Sequence, residues 1–463
     1  MANAPKILII GGGISGLACA WRLRELGQPA LLLERSPRFG GVIDTIEQDG
    51  FRFDIGPQSF TDTQAVSELI DELGLRSELL RANPRAPRYI LKGGRLVPAP
   101  LSPPQLFLTP LLGARTKLRI LSEPLRHTRP PDTDESVAAF TRRKFGADLL
   151  ENLVGPFISG IWAGDPEKLS LASAFPTLRR FEELYGSVIR GQIKTRRESG
   201  KRPSLCNFRG GLKVLVAALA QKLGDSALSG AEISGIRRSP GSNSRAFEVT
   251  YGHGGATQSL NVNAAIVATP ADETARLLRG VEPGFSEVLG RIEYASVAQV
   301  SAGYGLEQIS YWNAEHGLEG FGFLVPRSEG LRILGTVWNS ALFPERAPRG
   351  MVSFTSFLGG MTDPEIVSYG PDQIAAIALS ELSSILGITA SPAAHHLARW
   401  QHALPQYNLG HQGVIADLRK LCARTPGIVL AGNYFAGPAL GACVEHANEV
   451  AQSVARFRGS NAR

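Results

Sequence analysis

At 463 residues the chain is too long to close around one hydrophobic core, so two or three domains are expected. Its 43% apolar and 20% charged residues are ordinary for a globular protein, and no run of 18 apolar residues is present to span a bilayer. The net charge of +7 suits an acidic substrate or an anionic membrane surface, and with no lysine or arginine cluster interleaved with aromatics no nucleic acid is expected. Residues 1–6 lead into a strand without a charged leader or cleavage site, so no signal peptide is expected.

Residues 6–10 (KILII) form an apolar, β-branched run without alternation, which predicts a strand buried on both faces. Gly11, Gly13 and Gly16 follow as GxGxxG, with Gly12, Ile14 and Ser15 between them. Residues 17–26 then read as a helix ended by Gly27, residues 30–33 as a second strand, and Glu34 closes it. Each part has a mechanical reason. Gly11 permits the tight turn, Gly13 lets a pyrophosphate approach the backbone, and Gly16 packs helix against strand. The phosphates then meet a helix N-terminus, and Glu34 can accept hydrogen bonds from both ribose hydroxyls while disfavouring a 2′-phosphate. These residues alone leave NAD and FAD open. Residues 34–41 (ERSPRFGG, with Arg35, Arg38, Gly40 and Gly41) resemble the ERxxRxGG extension of the amine-oxidase-like flavoproteins. Residues 53–60 (FDIGPQSF, with Gly56, Pro57, Gln58 and Ser59) are similar to the D-x-GPNSF segment beside the flavin, with Gln58 departing from the usual Asn.

Residues 61–80 are helical in pattern, with Val66, Leu69, Ile70 and Leu73 on one face, and residues 88–97 read as a hairpin around Gly93 and Gly94. Residues 98–201 become rich in Leu, Pro and Arg and read as short amphipathic helices. Their apolar faces either pack internally or meet lipid headgroups. Strands are predicted at 231–236, 246–251, 258–262 and 264–270, then at 321–326, 333–338 and 351–357. A helix is predicted at 371–386, a buried strand and glycine turn at 428–433, and a closing helix at 441–455. The four cysteines form no CxxC pair and read as small buried hydrophobes in a reducing compartment. The eight histidines show no ligand spacing, so no metal site is expected.

Taken in order, residues 159–166 (SGIWAGDP), Leu169–Ser170, 174–176, 185–187, 322–326, 405–411 and 432–445 resemble the protoporphyrinogen oxidases over nearly the whole chain. Trp162, Pro438 and Val337 depart from the residues common there. The resemblance implies an α/β fold with a Rossmann-type FAD-binding domain (1–91, 205–285 and 395–463), an α+β substrate-binding domain (286–394) and a helical membrane-binding domain (92–204). It implies non-covalent FAD and a porphyrinogen oxidised by six electrons, with dioxygen or another electron acceptor. It also implies a cytoplasmic enzyme in peripheral contact with the membrane, and it leaves a homodimer open. Arg88 would grip a propionate, while Leu324, Val337 and Phe357 would hold the tetrapyrrole. Ile233, Trp400, Asn433, Ala439 and Leu440 would complete the cofactor site. No catalytic side chain is assigned. Coproporphyrinogen III oxidase is the nearest alternative. An amine oxidase or carotenoid desaturase fits the 53–60 and 159–166 segments less well, and a non-catalytic flavoprotein stands in a different class.

Overall fold

A computed structural model describes residues 7–196, 204–239, 246–311 and 318–459 of a mixed α/β protein. Ile7–Ile10 is buried along its whole length because it lies at the centre of a five-stranded sheet. Ala30–Leu33 and Ala264–Val267 flank it, with Ala227–Leu228 and Ile428–Leu430 at the edges, all parallel. Alternate side chains serve opposite layers. Ile7 and Ile9 pack with Leu17, Leu215 and Val444 from the helices Ile14–Glu25, Lys213–Leu223 and Leu440–Gly459. Leu8 and Ile10 pack on the other side with Phe247, Val249 and Tyr251 of an antiparallel three-stranded sheet. Covering both faces is what permits a strand with no polar residue.

A second sheet has seven strands, in the order Ala394–Pro405, Tyr294–Gly305, Met351–Gly359, Ile333–Val337, Gly322–Leu324, Arg88–Lys92, Arg95–Pro98. Only Gly322–Leu324 and Arg88–Lys92 pair in parallel. One face carries Val300, Tyr304, Phe323, Phe354 and Leu358 onto Ile374, Ala378 and Leu382 of the helix Pro371–Leu386. The other face turns toward the first sheet. The hairpin at 88–98 is thus an edge of this second sheet, although its first strand falls in a segment expected to belong with the first.

The helix expected over 61–80 is shorter, Gln64–Glu72. Gly74 stops it with φ +72, and Leu79–Arg81 instead pairs antiparallel with Leu205–Phe208. From residue 103 to 196 the regular elements are short helices, including Ala114–Ser122, Val137–Lys144, Gly155–Trp162 and Pro176–Tyr185. A buried ionic network ties them together. Lys144 Nζ lies 2.9 Å from Glu182 and 3.2 Å from Glu123, and Arg143 joins Glu182 to Glu135. Meanwhile Leu108, Leu118, Leu121 and Leu125 of this segment are exposed. No helix among the described residues is long and apolar enough to cross a membrane.

Candidate active site

The site begins at the carboxyl end of the first sheet. Glu34 is buried, and its carboxylate accepts the Gly12 N–H at 2.6 Å and the Ser36 N–H at 2.7 Å. Its carbonyl accepts the Ala231 N–H, which brings Ile233 to this end. The glycines divide by what surrounds them. A Cβ on Gly16 would stand 1.9 Å from the Gly11 carbonyl oxygen, so this residue seats the helix on the strand. A Cβ on Gly13 would meet nothing within 4 Å. Gly13 therefore faces open space at the start of Ile14–Glu25, where the first-turn N–H groups have no intrahelical acceptor. An open glycine, free helix amides and a fixed carboxylate at one end fit a dinucleotide.

The trough continues along backbone. Gly41 lies against Gly13, and Gly56 lies so close to Val42 that a Cβ would stand 2.1 Å from its carbonyl oxygen. Trp400, on the second sheet, donates Nε1–H to the Ile55 carbonyl at 2.8 Å and closes the far end. The N-terminus of Leu440–Gly459, with Ala439 and Leu440, lies at the same loop, where Cys443 neighbours Ser15 and donates its thiol to the Gly437 carbonyl at 3.6 Å. Burial pushes the Cys443 thiol up to about 11. Asn433 begins a short helix, and its carbonyl accepts the Tyr407 hydroxyl at 2.5 Å. The Tyr407 ring in turn lies between Trp162 and His411, at centroid distances of 5.1 and 4.0 Å.

The two arginines of the 34–41 segment are not directed into the trough. Arg35 is exposed and lies 3.9 Å from Glu273. Arg38 folds over its own turn, donating to the carbonyls of Phe39, Gly41 and Ile43 beside Asp44. Gln58 is also occupied internally. Its Nε2 donates to the Asp54 and Gly56 carbonyls at 2.7 and 3.0 Å, and its Oε1 accepts from Asn339 at 2.6 Å. Gln58 braces the turn at 54–59, with Pro57 and Ser59 partly exposed on it.

Strand register assembles the second half of the site. Ile90, Leu324, Gly335, Phe357 and Gln299 lie opposite one another across five strands. Two residues along, Arg88, Gly322, Val337, Thr355 and Ser301 form the next such row. Residues two apart on a strand share a face. Arg88, Leu324, Val337 and Phe357 therefore share the face away from Pro371–Leu386, and all four keep some exposure while Phe323, Thr336 and Leu358 beside them are buried. Gly322 and Gly335 carry no side chain of their own, and the Leu324 side chain lies against Gly335. The 54–59 turn covers the far end, where Gln299 Nε2 donates to the Asp54 carbonyl at 2.5 Å. At the near end Leu324, Val337 and Phe357 keep partial exposure beside Gly155–Trp162, whose Gly160 touches Leu324, and this strip is the candidate slot. Arg88 stands at the edge, its guanidinium 5.2 Å from the Phe321 ring. Among the described residues it meets no carboxylate, and burial lowers its pKa.

Sequence reasoning missed the residues that join trough to slot. Asp54 accepts Thr45 Oγ1–H at 2.6 Å, the Leu212 N–H at 2.9 Å and Asn207 Nδ2–H at 2.8 Å, and Arg346 Nη2 lies 3.4 Å from it. Asn339, Gln299 and Arg346 sit in segments whose local pattern announces no such partner.

A sequence model of the family described as flavin containing amine oxidoreductase matches residues 14–456. The chain is 34% identical to protoporphyrinogen oxidase 1 of Spinacia oleracea, over 97% of this chain and 84% of that protein. It is 30% identical to coproporphyrinogen III oxidase of Bacillus subtilis, over 96% of this chain and 97% of that protein. A crystal structure from Exiguobacterium, provisionally named as a protoporphyrinogen oxidase, superposes with a TM-score of 0.83 at 25% identity, covering 98% of this chain and 99% of that one.

Proposed function

The chain belongs to the flavin-containing amine oxidoreductases, an FAD-dependent oxidoreductase family, and from that premise we propose that it oxidises protoporphyrinogen IX to protoporphyrin IX. One observation carries the reading. Arg88, Leu324, Val337 and Phe357 share one partly exposed sheet face at the end of a glycine-walled trough. A porphyrinogen is a broad apolar macrocycle with propionates, and it needs a greasy slot with a cation at its rim. Bound FAD supplies the two-electron acceptor for each of three dehydrogenations, with dioxygen regenerating it. Glu34 and the Ile14–Glu25 N-terminus hold the dinucleotide, and the 54–59 turn and Trp400 border its ring. Arg88 orients a propionate, Phe357 stacks on a pyrrole ring, and Leu324 and Val337 enclose the ring from the strand side. Gly155–Trp162 roofs the slot against water. Non-covalent attachment of the cofactor is part of this reading, and burial keeps the Cys443 thiol beside the loop protonated and a poor nucleophile.

Along the two rows that line the slot, Arg88 alone carries a fixed positive charge. That suits the two adjacent propionates of protoporphyrinogen. The two further propionates of coproporphyrinogen III would meet the apolar Leu324 and Phe357. Initial rates of porphyrin fluorescence on the two substrates test this side by side. A higher kcat/KM on coproporphyrinogen III would reverse the assignment, and no porphyrin from either would end it.

The helical segment makes peripheral contact with a membrane in this reading. Its exposed leucines 108, 118, 121 and 125 stand among Arg115, Lys117 and Arg119, an apolar surface with cations suited to anionic headgroups.

A further inference from the structure

Besides Gln299 and Trp400, which hold the Asp54 and Ile55 carbonyls, the segment that follows the slot strand Ile333–Val337 grips the 54–59 turn at two separate points. At the first, Asn339 Nδ2 donates to Gln58 Oε1 at 2.6 Å, and Gln58 passes the constraint to the Asp54 and Gly56 carbonyls. At the second, Arg346 Nη2 lies 3.4 Å from Asp54 Oδ2 and donates to the Phe208 carbonyl at 3.0 Å. Both side chains of this ion pair are 1% exposed. The grips belong to one short segment, 339–346, which leaves the sheet directly after Val337 on the slot wall. This strap therefore joins the slot wall at Val337 to the cofactor-side turn through side chains, alongside the backbone-directed contacts of Gln299 and Trp400.

Stability is a poor reason for such a strap. Arg346 Nε and Asn339 Oδ1 are buried without a partner. Burial also works against the Arg346 charge. Packed apolar side chains of similar volume are often as stable as a buried ion pair or more so. What the polar contacts supply is direction and distance.

We propose that Asn339–Gln58 and Arg346–Asp54 form a two-point clasp that holds the 54–59 turn, and the cofactor ring bordering it, at reacting distance from the slot. Asn339, Gln58 and Arg346 are positioning residues with no share in electron or proton transfer. The inference rests on the porphyrinogen oxidase reading above. Releasing one grip leaves the Arg88 rim and the apolar walls untouched, so substrate still binds, while a displacement of about 1 Å at the reacting centre costs roughly a hundredfold in rate.

The test uses full-length, FAD-loaded protein carrying Asn339→Ala, Gln58→Ala, both together, or Arg346→Lys. The lysine variant keeps the buried charge, since removing it outright would strand Asp54 and endanger the fold. Flavin bleaching by protoporphyrinogen without oxygen is expected to slow about ten- to a hundredfold in Asn339→Ala, with KM within about twofold of the parent. The double variant should be no slower than the worse single one, because both remove the same contact. Visible circular dichroism of the bound flavin, read without substrate, should change shape in every variant at parental FAD content. Parental bleaching and dichroism in Asn339→Ala would overturn the clasp, as would a loss that follows KM, FAD content or melting temperature alone. Should the parent bleach with no porphyrinogen, the functional reading falls, and the dichroism comparison still decides the clasp.

Discussion

Gly160 and Leu324 meet across the slot with no room for another carbon: a Cβ on Gly160 would stand 2.2 Å from Leu324 Cδ2. The atom in the way is the end of a flexible side chain, so Gly160→Ala displaces a slot wall rather than the backbone. The variant should melt within about 3 °C of the parent, a change of roughly 1 kcal/mol. Its kcat/KM for a porphyrinogen should fall roughly tenfold, with KM carrying the change. An unaltered KM in a well-folded variant would place the macrocycle elsewhere.

Arg88→Ala should lower kcat/KM about ten- to a hundredfold, since a hydrogen bond to a charged group contributes roughly 1.5–3 kcal/mol. Arg88→Lys should recover only part, because an ammonium keeps the charge without the fork. FAD content should match the parent in both. An Ala variant with parental kcat/KM would make Arg88 a surface charge, and a loss that tracks FAD would make it part of the cofactor site.

Glu34→Ala should weaken FAD binding. The substitution removes the acceptor of the Gly12 and Ser36 N–H groups as well as the partner of the ribose, a loss of about 1–3 kcal/mol or roughly five- to a hundredfold in Kd. Equilibrium titration of the deflavinated protein with FAD reads this directly, and an unchanged Kd would contradict it.

His411 should make stability depend on pH. Burial lowers its pKa to about 4, with Nε2 beside the Tyr434 carbonyl at 3.0 Å opposing only in part. Well above pH 6.5 the ring is neutral folded and unfolded, and contributes nothing. As pH falls below 6.5 the unfolded chain takes up a proton that the folded chain refuses, so stability declines until about pH 4, where both are charged. The total is on the order of 3 kcal/mol. His411→Phe keeps an aromatic ring against Tyr407 and should flatten this part of the urea-denaturation profile. Parallel profiles for parent and variant between pH 7 and 4 would refute the assignment.

Leu118→Asp with Leu125→Asp should reduce co-flotation with anionic vesicles at least about tenfold, since burying one leucine contributes roughly 1.5–3 kcal/mol. These side chains are 65% and 82% exposed, so the fold should tolerate both changes. A parent that stays at the bottom of the gradient at low and high salt would remove the membrane contact altogether.

The dinucleotide half could be read from the chain because its signal is contiguous: strand, glycine turn, helix, strand and acid fall within residues 7–34. The hairpin carrying Arg88 was readable too, through Gly93 and Gly94. Its partner strand was not, because the pairing of Arg88 with Gly322 joins segments far apart in sequence. Gln58 shows a different limit. One extra methylene relative to the usual Asn says nothing about which carbonyls its amide will reach, and those lie within its own turn. Arg346 stands in a Pro- and Arg-containing stretch between two predicted strands, with no local pattern that marks it as buried. Its burial comes from Asp54 and Phe208, which only the tertiary fold brings to it.

The order in which the first sheet is filled bears on how the protein comes to exist. Its central strand, Ile7–Ile10, is synthesised long before the edge strand Ile428–Leu430 and the helix Leu440–Gly459 that packs on Ile14–Glu25. Contacts of such span form late and slowly. A growing chain must therefore carry an apolar strand and an open glycine loop until residues 428–459 have been made, and a truncation that removes Leu440–Gly459 would strip the core at the helix Ile14–Glu25. Capture of the cofactor accordingly follows the synthesis of residues 428–459, and supplementing FAD during expression should raise yield by trapping chains that have passed this point.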